Sequence, residues 1–542
     1  MNLKQQLLKN LQKQIKEPFN LETPPNPNLG DYSLPCFKLS KSSIELQKLL
    51  KLPKFVEKTE IKGLYLNFFI NKSYLTESVI KQILKERSKY GSLKLKNKKA
   101  LIEHTSINPN ASPHLGRARN AIIGDSIVRI LKFHNYKVET HYYVNDIGKQ
   151  IAMLVLACDN KTPSFKDILE LYISFNQKLE NNQELEKKVF NLLNKLEKGD
   201  KKTKAQFKKI VSLCLKGQTS ILKELGINYD YFDFESDFLE DTNKILKDLE
   251  KTGKLFTDEE NRKAINLEEF DLPMENPYLP LTRNDGTSMY MLRDIAYSIY
   301  KEKRAKDRNI ITLGEDQKLY FQQLSNILKL LNHIPPESIH YSFVLLPSGK
   351  MSTRKGEVVL LEDFMNEIKN KAKEEIIKRH GNIKDIEKLS KTIGYGAVKF
   401  TILKVAADKN ITFEIEKALS FEGESAPYIQ YAYTRANSIL NKSKIKSPNN
   451  FKLLTNQYEI MLVQKLSLFP EITENTLKKL QPSLIATYSL DLSKTFNEFY
   501  QNCNVLDSQE NLKQARLKLV FATSIVLKNA LNLLGIETPE IM

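Results

Sequence analysis

Apolar residues recur at two different periods along the chain, and the places where the period changes show how it is built. At the start, Leu3, Leu7, Leu11 and Ile15 fall every fourth position, the stripe of an amphipathic helix. A loop, "PPNPNLGDYSLP", then leads to a strand, "GLYLNFFIN", and a second helix, "SYLTESVIKQILKER". Together they predict a small α/β module over residues 1–90. "KYGSLKLKNKK", with its Gly and Lys, reads as the linker that follows.

"KALIEHTS" is a short buried strand, after which Ile123, Ile127, Ile130 and Leu131 recur three or four apart on one helical face. Pro113 suits the first turn of that helix, where a missing N–H costs nothing. "YKVETHYYVND" then alternates, with Val138, Tyr142 and Val144 on one side. Strand, helix and strand within about 45 residues make a right-handed βαβ unit of a parallel sheet. Residues 151–265 read as mostly helical and highly charged, an insertion at the sheet's edge. The α/β rhythm returns at "NIITLGEDQKLYFQQLSNILKLL" and "IHYSFVLLPSGKMSTRKGEVVLLEDFMNEI". Two halves split by an insertion predict a doubly wound, Rossmann-like parallel sheet over residues 95–385. From 386 to 542 only helical periodicity remains, as in "PYIQYAYTRANSIL", which predicts an α-helical bundle.

Composition narrows the partners. Lys and Arg number 83 against 65 Asp and Glu, a surplus of 18 that favours a polyanion. A lysine-rich solvated surface is the plainer reading of the same surplus. Four cysteines, Cys36, Cys158, Cys214 and Cys503, lie too far apart for a metal knuckle or redox pair, so no structural metal is expected. No apolar run approaches the roughly 18 residues that span a bilayer, and the N-terminus lacks a signal-peptide core. A cytoplasmic protein without membrane attachment is expected.

Two turns carry candidate chemistry. "PHLGR" opens the helix after the first strand, and "GKMSTRKGE" joins the last strand to the helix beyond it. Ligands of open parallel sheets sit beyond the carboxyl ends of the strands, often with phosphate at a helix N-terminus. Each turn alone is an ordinary feature. In these two places they can close on one triphosphate.

The turns resemble the HIGH and KMSKS signatures of class I aminoacyl-tRNA synthetases. "EHTSINPN", "DGTSMYMLRDIAY", "GEDQKLYFQQL", "SFEGESAPYIQYAYTRANSIL" and the ending "LGIETPEIM" are similar to the arginyl members of that class, and the resemblance covers almost the whole chain. It implies ATP-dependent activation of L-arginine to arginyl-adenylate and transfer to the terminal adenosine of tRNA(Arg), with Mg²⁺ accompanying ATP, bound tRNA needed for activation, and a monomer. His114, Gly116 and Arg117 match the HIGH positions at ATP. Lys350, Met351 and Ser352 match the start of KMSKS. The second His of HIGH is Arg117 here and the second Lys of KMSKS is Thr353, so Lys350, Arg354 or Lys355 must furnish the missing cation. Asp294 and Glu235 match the carboxylates for the guanidinium fork, Tyr290 flanks it, Asn108 and Gln317 lie near the α-amino and carboxylate groups, and Glu103 is a further pocket acid. Without the family, Glu235 would be a helix N-terminal acid and Asp294 a surface ion-pair partner.

For RNA, the resemblance implies that the bundle reads the anticodon through Tyr428, Tyr431 and Arg435, and that Tyr65 and Asn67 of the first module meet the tRNA elbow. Either bundle tyrosine, and the strand residues, could equally be core. The alternatives to an arginine–tRNA ligase are another class I synthetase or related adenylyl-forming nucleotidyltransferase, and a tRNA-binding paralogue without catalysis.

Overall fold

The computed structural model describes residues 3–24, 26–158, 163–180, 182–345, 359–381, 383–446 and 450–542. The first helix, Leu3–Gln12, buries Leu3, Leu7 and Leu11, and Ile15 continues the stripe just past its end. Three antiparallel strands follow: β1 (Tyr32–Pro35), β2 (Val56–Lys62) and β3 (Tyr65–Ile70), in the order β1-β3-β2. The segment expected to be a loop therefore ends in a strand. β2 and the helix Ser43–Leu49 are also additions to the sequence reading. Helix Lys72–Glu86 closes the module. The presumed linker has no regular structure beyond a short turn, yet it is clamped: Tyr90 Oη donates to the carbonyl of Leu466 (3.1 Å) and Ser92 Oγ to that of Phe133 (2.6 Å).

The central sheet takes its first three strands from β4 (Lys99–Thr105), β5 (Lys137–Val144) and β6 (Tyr231–Phe234). The chain then forms a small antiparallel sheet, β7 (Leu255–Thr257), β8 (Lys263–Asn266) and β9 (Tyr278–Pro280), before returning with β10 (Arg308–Gly314) and β11 (Glu337–Tyr341). The five-stranded order is β11-β10-β4-β5-β6, and every neighbouring pair is parallel. The chain starts in the middle, winds to one edge, and comes back to build the other. The reversal lies between β4 and β10, where such sheets bind ligands at their carboxyl ends.

Helix Leu115–Phe133 joins β4 to β5 and buries Ile123, Ile127, Ile130 and Leu131 as the periodicity requires. Gly124 lets it lie close on β4, since a Cβ there would come within 2.0 Å of His104. Pro113 is not in its first turn: His114 is the N-cap, and the Pro113 carbonyl instead accepts the N–H of Leu361 (2.8 Å). On β5, Tyr142 and Val144 join one core and Tyr143 another on the opposite face.

The insertion ends earlier than expected. Helices Lys149–Cys158, Ile168–Leu179, Gln183–Glu197 and Lys201–Glu224 fit the reading, but Tyr231–Phe234 is already back in the main sheet. Four strand positions in "YFDF" are too few for a period of two to stand out beside so much charged helix.

After the helix Leu361–His380 come Ile386–Leu403, Ala426–Asn441, Gln457–Ser467, Phe469–Lys479, Ser483–Asn502 and Glu510–Leu533. Among the described residues here, Ile411–Thr412 is a strand and pairs with Val344–Leu345. The far end of Leu115–Phe133 is fastened to this bundle. Ser126 Oγ donates to the Leu533 carbonyl (2.8 Å), His134 Nε2 meets the Thr473 carbonyl (3.2 Å), and Phe133 packs edge-on against Phe469. Among the described residues no helix is long and apolar enough to cross a membrane.

Candidate active site

The turn that opens the Leu115–Phe133 helix is held by its own backbone. The N–H of Arg117 donates to His114 Nδ1 (3.2 Å), so the hydrogen of the neutral ring sits on Nε2. Burial and the neighbouring Arg117 charge lower the His114 pKa to about 4, and the imidazole is neutral at pH 7. Gly116 sits in the first helical turn without a positive φ, so what glycine offers there is close approach to the backbone. The N–H of Leu115 meets the Val359 carbonyl (3.4 Å), and His114 bridges Leu360. Val359 is the first described residue after 345. Lys350, Met351, Ser352, Thr353, Arg354 and Lys355 lie outside the described residues.

Sequence reasoning missed Arg119, two positions along the same helix. It is fully buried and donates to four carbonyls: Ser342 (2.6 Å), Phe343 (3.3 Å), Ala406 (3.2 Å) and Lys409 (2.8 Å). One guanidinium thus ties the turn-bearing helix to the chain just before Val344 and to the loop before Ile411.

A cleft of about 270 Å³ lies beside the turn. It brings together all six residues expected around arginine, Glu103, Asn108, Glu235, Tyr290, Asp294 and Gln317, along with Arg117. Asp294 stands on the helix Tyr290–Ala305 and is held by hydroxyls: Tyr143 Oη donates to Oδ1 (3.2 Å) and Tyr320 Oη to Oδ2 (2.6 Å). Burial raises its pKa against those hydrogen bonds. Among the described residues no cation forms an ion pair with it, so it is not the surface salt-bridge partner that the plainer reading supposed.

Glu235 begins the short turn after β6 and is 1% exposed. Its Oε1 accepts from Arg293 Nε (2.6 Å), and its Oε2 is buried with no hydrogen-bond partner. Burial pushes its carboxyl up to about 7, Arg293 working against the rise. Arg293 also donates to the carbonyl (2.7 Å) and Oγ (2.9 Å) of Ser288 and lies 5.0 Å from the ring centre of Tyr290. Glu103, on β4, is paired with buried Lys301. Asn108 Nδ2 donates to Gln150 Oε1 (3.0 Å) and its carbonyl accepts from Gln218 (3.0 Å). Tyr143, Tyr320, Arg293 and Lys301 are the partners the sequence reading omitted. The spacing Tyr290, Asp294, Tyr297, Lys301 on a single helix face carried the signal for the last of these.

On the bundle, Tyr428, Tyr431 and Arg435 come together. Arg435 stacks between Tyr431 (4.6 Å) and Tyr500 (4.8 Å) and donates to Asn497 Oδ1 (2.6 Å), while Asn497 Nδ2 donates to the Tyr428 hydroxyl (2.9 Å). In the first module Tyr65 is half-buried, edge-on to exposed Phe37. Asn67 is 4% exposed and accepts a hydrogen bond from Ser33 on β1.

Comparison with known proteins gives this geometry its class. Residues 79–415 match the family model "tRNA synthetases class I (R), catalytic domain", 429–542 the "DALR anticodon binding domain" and 1–70 the "Arginyl tRNA synthetase N terminal domain". The arginine–tRNA ligase of Methanosphaera stadtmanae is 40% identical over 546 residues, covering 96% of this chain and 95% of that one. That of Methanococcus aeolicus is 38% identical, covering 96% of each. The solved arginyl-tRNA synthetase of Thermus thermophilus shares the fold with a TM-score of 0.88 at 26% identity, covering 100% of this chain and 99% of that one. The chain belongs to the class I arginyl-tRNA synthetase family.

Proposed function

We propose that the chain is an arginine–tRNA ligase that activates L-arginine with ATP and transfers it to the 3′-terminal adenosine of tRNA(Arg). ATP enters with Mg²⁺ and lays its phosphates against the turn His114–Arg117, where helix N–H groups and Arg117 answer their charge. The family motif assigns Lys350, Met351 and Ser352 to the same phosphates, with Arg354 or Lys355 supplying the cation that Thr353 lacks. The bond from Leu361 to Pro113 supports this pairing, because it fastens the described chain just beyond those residues to the same turn.

Asp294 and Glu235 take the guanidinium, Tyr290 flanks its stem, and Asn108 and Gln317 take the α-amino and carboxylate groups. The arginine carboxylate attacks the α-phosphorus and pyrophosphate leaves. The 2′-hydroxyl of the terminal adenosine then attacks the arginyl carbonyl and AMP leaves. No covalent bond to the protein is required, and positioning with charge stabilisation suffices. Tyr428, Tyr431 and Arg435 offer the anticodon loop stacking faces, and Tyr65 meets the elbow. A monomer in the cytoplasm goes with this reading.

The observation that carries it is Asp294, a buried-side carboxylate held in place by two hydroxyls and paired with no cation among the described residues. Its charge is unanswered and its position fixed, as recognition of a cationic side chain demands. ATP–pyrophosphate exchange in the presence of tRNA, run over all amino acids, is expected to respond to arginine and to ignore lysine. Exchange with another amino acid, or charging absent altogether, overturns the proposal.

A further inference from the structure

One guanidinium carries one positive charge, and the proposed arginine cleft is lined by four acids, three of them, Glu103, Glu235 and Asp294, expected around the substrate side chain. Glu235 shares an oxygen with Arg293, and Asp294 meets only hydroxyls. Glu103 is different. The Lys301 ammonium contacts its Oε2, lies 4.4 Å from the centre of the Tyr297 ring, and is itself 1% exposed. Lys301 stands two turns along the helix from Asp294, and both line the cleft.

Three carboxylates and two cations leave one negative charge over. The other charged groups of the lining, Arg117 and Asp316, come from the helix turn and the turn after β10 and are opposite in sign. The charge of Asp233, on β6, also acts on Glu103, but Asp233 is occupied by His141 Nδ1 (2.6 Å) and the Tyr297 hydroxyl (2.8 Å). If Glu103 were free, the cleft would hold two surplus charges, satisfied only by a second cation or a proton. Either would blur the choice of a monocation of fixed charge. We propose that Lys301 is a specificity-determining residue: by neutralising Glu103 it leaves the pocket a single uncompensated carboxylate, which one guanidinium completes. This rests on the arginine reading of the cleft and adds that Glu103 serves as the partner of Lys301 and is not a direct ligand of the substrate.

The test compares the parent protein with Glu103→Gln, Lys301→Met and the double variant, by the arginine KM in tRNA-dependent exchange and by thermal unfolding with and without arginine. Glu103→Gln leaves an unpaired ammonium facing the incoming guanidinium and is expected to raise the arginine KM about 100-fold. Adding Lys301→Met removes that ammonium and is expected to bring KM back to within about fivefold of the parent. Lys301→Met alone strips Glu103 of its cation, so its arginine KM gains a second pH dependence, beyond the one Glu235 gives the parent and the double variant alike. A double variant as impaired as Glu103→Gln overturns the inference and makes Glu103 a direct ligand. Should a single variant fail to fold, the double variant, which leaves neither charge buried alone, still decides the matter. A parent without arginine-dependent exchange refutes the arginine reading itself, a result distinct from the failure of Lys301.

Discussion

The cleft and the aromatic patch of the bundle are both polar, and they are built on opposite plans. In the cleft the acids are fixed by partners on other elements: Tyr143 from β5 and Tyr320 from the helix after β10 hold Asp294, and Arg293 holds one oxygen of Glu235. On the bundle, Tyr428, Tyr431, Arg435, Asn497 and Tyr500 bond or stack among themselves, and Tyr500 is 43% exposed. The first plan sets charges before the ligand comes, which suits choice between small side chains. The second presents flat faces and a cation that accept many bases, which suits RNA.

The contrast can be broken most forcefully at Asp294. Asp294→Ala is expected to lower kcat/KM for arginine about 1,000-fold, since truncating one side of a desolvated charge pair costs about 4 kcal/mol. Steady-state exchange at varied arginine checks it. Next, Arg119→Met is expected to lower stability by about 3 kcal/mol in urea unfolding, because four carbonyls lose a charged donor in the interior.

Glu235 sharpens the comparison through pH. Its carboxyl ordinarily titrates near 4.5 and is raised to about 7 in the folded chain. Between those values the folded state holds more proton than the unfolded, so this group's contribution to stability falls as pH rises across that interval. The guanidinium needs the ionised form, so the arginine KM is expected to fall as pH rises through about 7. Glu235→Gln is expected to flatten that profile and to raise KM about 30-fold, roughly the 2 kcal/mol of a charged hydrogen bond. The smallest effect belongs to the patch: Tyr431→Ala is expected to raise the KM for tRNA about tenfold, as the loss of one stacked base predicts, with the arginine KM unchanged.

The long elements were legible because their periods run far enough to be read: the helix after β4, the strands β4, β5 and β10, and the bundle. Short strands were not. β1, β6 and the strands of the small sheet β7–β9 have three or four residues each, and the partners of β1 and β6 lie far off in sequence. The same nonlocality explains Asn67, a polar residue that looks external until β1 sets Ser33 beside it. In the cleft, matching motifs found the acids, whereas the groups that hold them come from segments without a motif. Lys301 was within reach, as it repeats the helical spacing of Tyr290 and Asp294. Arg119 was not, because nothing local distinguishes a buried arginine in a basic chain.

Helix Leu115–Phe133 has its His-capped start at the cleft and its last turn gripped by the bundle, a span of roughly 28 Å at 1.5 Å per residue. A single stiff rod with both ends seated leaves the two regions no freedom to swivel separately. Reorienting the bundle alone would require Ser126 to release Leu533, His134 to release Thr473, and Phe133 to come away from Phe469.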